Sequence, residues 1–301
     1  MTNNEIVAQF YHHDHTRDDE FAKKIRTLQD VGYVLDSLDV DNVLPLTPTT
    51  SGFVDETEII ETVQSLFSYL SGMQLYPVVY EGENNGKLLR HVVPREGMEK
   101  QISSYGSKES FLPHVDNPDL AIRTEVHRKV SPCPDTLSLL CLRQQEGVAT
   151  SIIKLDDIIS SLSHRDINLL QEECFCVSRP ASFDKKSNLK NVPLLSVDKG
   201  KYISRFDYHN VFSENPIHQS ALENFKKSSL DNSKWIELYL QPKQIITFDN
   251  QRVLHTRNGF VPKFDGFDRW LIRVFGLYYK PDGSYLISQD CNHHLSAPLF
   301  L

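Results

Sequence analysis

The sequence predicts a β-rich α+β fold: a sandwich or jelly-roll core with helices flanking it on the N-terminal side and inserted within it. Three observations carry this. From about residue 76 onward, short runs rich in β-branched and aromatic residues follow one another, separated by turn residues. Helical periodicity is concentrated before that point and in three short later stretches. No glycine-rich loop follows a strand in the manner of a phosphate cradle, which disfavours a nucleotide-binding parallel sheet.

In order, the first 16 residues carry no charged-then-apolar leader pattern and are expected to be disordered. Arg17 to Asp30 reads as a helix, with Phe21, Ile25 and Leu28 at helical spacing and Gly32 as its stop. YVLDSL follows as a short strand. DETEIIETVQSLFSYLSG opens with acids suited to a helix N-terminus and closes at Gly72. Residues 17–75 thus form a mainly helical flank, 76–285 the β core, and 1–301 one domain. LYPVVYE and KLLRHVVP read as strands around the polar turn GENNG. Further strands are DTLSLLCLRQ, ATSIIKL, EECFCVSR, KYISRFDY, IELYLQP, QIITFD and RWLIRVFGLYY. Helices interrupt them at about Asp156–Ser163, Ile167–Glu172 and Ile217–Leu230.

Composition narrows the function. A net charge of −8 and a pI near 5.8 argue against a nucleic-acid surface and leave small-molecule partners open. No apolar run approaches the roughly 18 residues of a membrane span. The five cysteines are odd in number, and Cys174 and Cys176 are too close for an ordinary structural disulfide. Reduced thiols and a cytoplasmic location are expected.

Two motifs carry chemistry. In RWLIRV, strand alternation turns Arg269, Leu271 and Arg273 to one side and Trp270, most simply a core residue, to the other. Two guanidiniums on one face of an apolar strand suit an anionic ligand, because each pairs a carboxylate through two parallel hydrogen bonds. In FLPHVDNPD, His114 and Asp116 share a face if the segment is extended. That triplet alone is weak, since a capping or surface role explains it equally well. With His255 added, two imidazoles and a carboxylate fit the facial arrangement of non-haem iron(II) oxygenases.

The stretch IITFDNQRVLHTRNGFVPKFDGFDRWLIRVFG resembles the C-terminal signature of iron(II)/2-oxoglutarate oxygenases, within them the clavaminate synthase-like branch that includes free amino acid hydroxylases. The branch carries His-x-Asp or His-x-Glu, a long gap, a histidine, and an arginine fourteen residues later, here His114, Asp116, His255 and Arg269. EGVATSIIKL also resembles it. The likeness is strong over Phe111–Asp119 and Gln244–Gly276, moderate over Asp135–Leu155 and thin elsewhere.

The resemblance implies a double-stranded β-helix core and iron(II) held by His114, Asp116 and His255. It implies 2-oxoglutarate chelating that iron, with its far carboxylate on Arg269 and the Thr150 hydroxyl. O2 is the second cosubstrate, and succinate and carbon dioxide leave as the substrate C–H bond is hydroxylated. It further implies Arg273 for the substrate carboxylate and Asp207, in KYISRFDY, for a distal cationic group, pointing to lysine or arginine. Ser104 or Gln101 falls where the branch binds the α-amino group. The alternatives are a salt bridge from Arg273 to Asp265 or Asp268, Asp207 satisfied by Arg205 or a turn amide, and a plain loop around Ser104 and Gln101. At the level of function they are desaturation, another amino acid or a carrier-bound or peptidyl substrate, and a jelly-roll protein binding metal or a small acid without turnover. Halogenation is disfavoured, since Asp116 fills the position a halide needs.

Other candidates read as decoys. His12, His13 and His15 belong to the expected disordered terminus, and His293 and His294 are taken as similarly solvated. His127 lies in RTEVHRK, a charged run expected at the surface and suited to a lid. The Cys174–Cys176 pair is too sparse for zinc, and Asp249 and Asn250 are expected to shape the turn before His255.

Overall fold

A computed structural model describes residues 1–12, 19–100, 106–128 and 130–299. Two antiparallel sheets organise it. The larger has the strand order Tyr33–Ser37, Gln244–Asp249, Thr136–Arg143, Trp270–Leu277, Tyr76–Tyr80, His294–Leu295. Arg90–Val92 also pairs with Trp270–Leu277, and only the His294–Leu295 pairing is parallel. The smaller sheet runs Ile236–Leu238, Thr150–Lys154, Val253–Arg257, Phe111–His114. Phe175–Ser178 pairs with Val211–Phe212 and Asn188–Val192, and Leu195–Asp198 with Lys201–Ser204.

The central strands of the large sheet, Thr136–Arg143 and Trp270–Leu277, are buried at nearly every position. Such strands are apolar without alternation because both faces are covered. The helix Ile60–Gly72 covers one part, with Leu66, Phe67 and Leu70 fully buried and the Tyr69 hydroxyl donating to Thr247 Oγ1 at 3.0 Å. Gly276 sits where a Cβ would lie 2.5 Å from Thr136 Oγ1 and 3.2 Å from Leu75 Cβ, so the strand needs a bare backbone there. Gly32 ends the helix Asp19–Val31 with φ at +94°, the left-handed conformation glycine adopts without penalty.

Two sequence expectations change. The chain start, expected to be disordered, holds a helix over Asn3–Phe10, where Thr2 and Glu5 form a reciprocal capping box and Ile6 and Phe10 are buried. His13 and His15 lie outside the described residues. Tyr76–Tyr80 and Arg90–Val92 do not pair with each other but dock in succession along Trp270–Leu277. The start of the RTEVHRK run is anchored, while the His127 side chain lies outside the described residues. Arg123 pairs with Asp249 at 3.0 Å and with Asp198 at 3.0 Å, and Glu125 is buried against Arg205. Just upstream, Asp119 pairs with Arg179 at 2.6 Å, both fully buried. These charge pairs fix the segment that leaves His114 and Asp116.

Candidate active site

The site lies where the two sheets exchange side-chain contacts. His114 ends the Phe111–His114 strand and is the Cα partner of His255 on Val253–Arg257, so the imidazoles are cross-strand neighbours with ring centroids 4.0 Å apart. Asp116 follows two residues later, with Oδ1 3.8 Å from His114 Nε2 and Oδ2 3.6 Å from His255 Nε2. One ligand atom from each residue lies within 4.8 Å of the others. His114 Nδ1 is 2.8 Å from the Leu112 carbonyl oxygen and therefore donates to it. That tautomer leaves the Nε2 lone pair facing the cluster, where it is buried without a hydrogen-bond partner. His255 is held neutral, its pKa pushed down to about 3 by burial and by His114. Burial opposes charge on Asp116 too, yet Arg273, His255 and His114 together hold its carboxyl below the usual range. Two imidazoles and a carboxylate, with an orphaned ring nitrogen in the cluster, fit a divalent iron.

Asn250 was expected to shape a turn and does more. Its Oδ1 accepts from the Asp116 N–H at 3.0 Å, and its Nδ2 donates to the Asp116 carbonyl at 3.0 Å and to Pro134 at 3.1 Å. A fully buried side chain thus clasps both sides of the Asp116 backbone.

Arg269 immediately precedes the Trp270–Leu277 strand and reaches across to the smaller sheet, donating to Thr150 Oγ1 at 2.9 Å. It is 3% exposed, has no carboxylate partner among the described residues, and its Nε is buried without an acceptor. Burial lowers its pKa to about 10. A buried cation with unused donors is costly unless an anion joins it.

Arg273 reaches across as well, but it is already paired: Nη2 is 2.5 Å from Glu83 Oε1 and Nη1 is 3.4 Å from Asp116 Oδ2. Asp265 and Asp268 serve local backbone amides instead, those of Phe267 and Lys263. Glu83, with no side-chain exposure, also accepts from Asn117 Nδ2 at 3.2 Å. Arg90 lies opposite Arg273 in the ladder and is buried. Sequence reasoning missed Glu83, since nothing in GENNG separates it from a surface turn acid.

Asp207 forms an isolated backbone bridge with His114, which brings it to the site. Its Oδ1 accepts from the amides of His209 and Asn210 at 2.9 and 3.1 Å, and its Oδ2 from Asn210 Nδ2 at 2.8 Å. Ser104 and Gln101 lie outside the described residues. Among the decoys, His293 is not solvated: it is buried, stacks on Tyr76 at 4.3 Å and has Nδ1 2.6 Å from the Pro77 carbonyl. Trp270 is fully buried and donates to His91 Nδ1 at 3.0 Å. All five cysteines are unpaired.

No family model matches the chain. It is similar to enduracididine beta-hydroxylase of Streptomyces hygroscopicus, 26% identical over 66% of this chain and 62% of that protein. It is also similar to L-lysine 3-hydroxylase of Catenulispora acidiphila, 25% identical over 77% of this chain and 63% of that protein. The chain therefore spans under two thirds of the length of both relatives. Among solved structures, asparagine oxygenase in complex with Fe(II), (2S,3S)-3-hydroxyasparagine and succinate superimposes with a TM-score of 0.80 at 25% identity, over 93% of this chain and 84% of that one. The resemblance read from His114, Asp116, His255 and Arg269 to amino acid hydroxylases is borne out by these likenesses.

Proposed function

We propose that this chain is an iron(II)- and 2-oxoglutarate-dependent oxygenase that hydroxylates a C–H bond of a free, basic L-amino acid, on a double-stranded β-helix core formed by its two main sheets. The observation that carries the reading is the His114–Asp116–His255 cluster together with a buried Arg269 that has no carboxylate partner among the described residues. Iron(II) held by the three side chains supplies the redox chemistry that couples oxidative decarboxylation of 2-oxoglutarate, giving succinate and carbon dioxide, to hydroxylation of the substrate by O2.

The protein's part is to bind and orient. Arg269 takes the distal carboxylate of 2-oxoglutarate through the donors it leaves unused, with the Thr150 hydroxyl alongside. Arg273 and Glu83 form a buried charge pair beside Asp116, a match in both signs for a zwitterion: the guanidinium for the α-carboxylate and the carboxylate for the α-ammonium. Asp207, oriented by three hydrogen bonds from its own turn, keeps its charge and a remaining Oδ2 lone pair for a distal cation. L-lysine 3-hydroxylase, a relative, is named for a basic amino acid, which favours that substrate class.

The test is succinate release with iron(II), 2-oxoglutarate and each of the twenty amino acids, followed by mass spectrometry of the product. A gain of one oxygen on lysine or arginine is expected, with Asp116→Ala reducing turnover at least a hundredfold. Turnover of no free amino acid would sink the substrate assignment. Full succinate production by Asp116→Ala would sink the metal assignment.

A further inference from the structure

A second buried arginine, Arg257, stands opposite Thr150 in the smaller sheet. Arg257 follows His255 by two residues on the Val253–Arg257 strand, so both side chains leave the same face. Across the ladder its Cα partner is Thr150, whose hydroxyl accepts from Arg269. Arg257 is 7% exposed. Its hydrogen bonds end on backbone carbonyls: Asn258 at 2.8 Å, Ser107 at 3.1 Å and Glu109 at 3.3 Å. Like Arg269, it has no carboxylate partner among the described residues. The contrast is internal, for Arg179, Arg205 and Arg273 are buried against Asp119, Glu125 and Glu83.

Two buried like charges, one bonded to the Thr150 hydroxyl and one opposite Thr150 in the ladder, repel each other and lack solvent to screen them. A single anion between them removes both costs. We propose that Arg257 is a second cation for the distal carboxylate of the 2-oxo acid cosubstrate, acting through charge beside Thr150, and that the Arg257–Arg269 pair makes the site select a dicarboxylate over a monocarboxylate 2-oxo acid. This rests on the oxygenase reading above. Arg269 has donors to give the ligand directly. Arg257 uses its own on the Ser107–Glu109 backbone, which is itself held by the Phe260 N–H on the Ser107 carbonyl at 2.7 Å. Its charge is therefore fixed in place before the ligand arrives, and no reorganisation is needed on binding.

The experiment measures binding to the iron(II)-loaded protein under anaerobic conditions by calorimetry. The two probes are 2-oxoglutarate and 2-oxobutyrate, which share the chelating keto-acid head and differ in the distal carboxylate. In Arg257→Gln the preference for 2-oxoglutarate is expected to fall at least tenfold with 2-oxobutyrate affinity unchanged, while Arg257→Lys stays within threefold of the native preference. An unchanged preference in Arg257→Gln, or an equal loss for both probes, overturns the proposal, the latter marking a merely structural role. Should Arg257→Gln fail to fold, Arg269→Gln decides: a remaining preference of several-fold for the dicarboxylate supports a second cation, and no preference overturns it. If the native protein binds no 2-oxoglutarate, the oxygenase reading fails instead.

Discussion

At the scale of single residues, Asn250 shows how the proposed metal ligand Asp116 is kept in place by a side chain outside the ligand cluster. All its polar atoms are used on the Asp116 and Pro134 backbone. Asn250→Leu keeps the volume but leaves the Asp116 N–H and C=O without those partners in a buried setting. Loss of such an outer partner typically costs 10- to 100-fold in metal affinity. A fall of that size is expected in iron(II) or cobalt(II) titration of the variant, and native affinity would show that Asp116 is positioned by something else. The residues proposed to hold iron and cosubstrate were legible from sequence because their types are distinctive and their spacing short: His114 with Asp116, and His255 with Arg269. Asn250 and Glu83 were not. Asn250 acts on a residue 134 positions away, and Glu83 meets Arg273 across 190. Only the folded chain brings such groups together.

At the scale of elements, Trp270–Leu277 joins the core to the site. Its Arg273 faces the smaller sheet, while Trp270 donates to His91, which sits on the short Arg90–Val92 strand beside it. The imidazole of His91 must stay neutral to accept that hydrogen bond. Burial pushes its pKa from 6.5 down to about 4. Below about pH 6.5 the unfolded chain takes up a proton that the folded chain refuses, so this contribution is whole above that pH and is lost as pH falls towards 4. The loss reaches about 2 to 3 kcal/mol by pH 4.5. Thermal unfolding of native protein and His91→Asn at pH 7 and pH 4.5 reads it directly: the native protein should lose more stability over this interval, and equal losses would refute the assignment. Sequence patterns found this strand because it is long and apolar. They passed over Val253–Arg257 and Phe111–His114, which carry the histidines, because both are short, the first is mostly polar and the second contains a proline, and their strand character comes from neighbours in the sheet.

At the scale of the whole molecule, the sheets are assembled from distant parts of the chain. Tyr33–Ser37 pairs with Gln244–Asp249, and Thr136–Arg143 lies between two C-terminal strands. Local periodicity gives the strands but not their order, so the β-rich class was legible and the pairing was not. The same assembly ties folding to ligand. Arg269 adjoins a strand of one sheet and Thr150 lies on a strand of the other, so the proposed dicarboxylate on them would bind only the folded state. At a hundred times its dissociation constant such a ligand stabilises by about 2.7 kcal/mol. For a chain of this size that raises the unfolding midpoint by about 5 °C. The shift is expected for 2-oxoglutarate with iron(II) under anaerobic conditions, and it should vanish in Arg269→Gln at the same concentration. A shift that survives Arg269→Gln undiminished would mean that the dicarboxylate stabilises the protein from somewhere other than the junction of the two sheets.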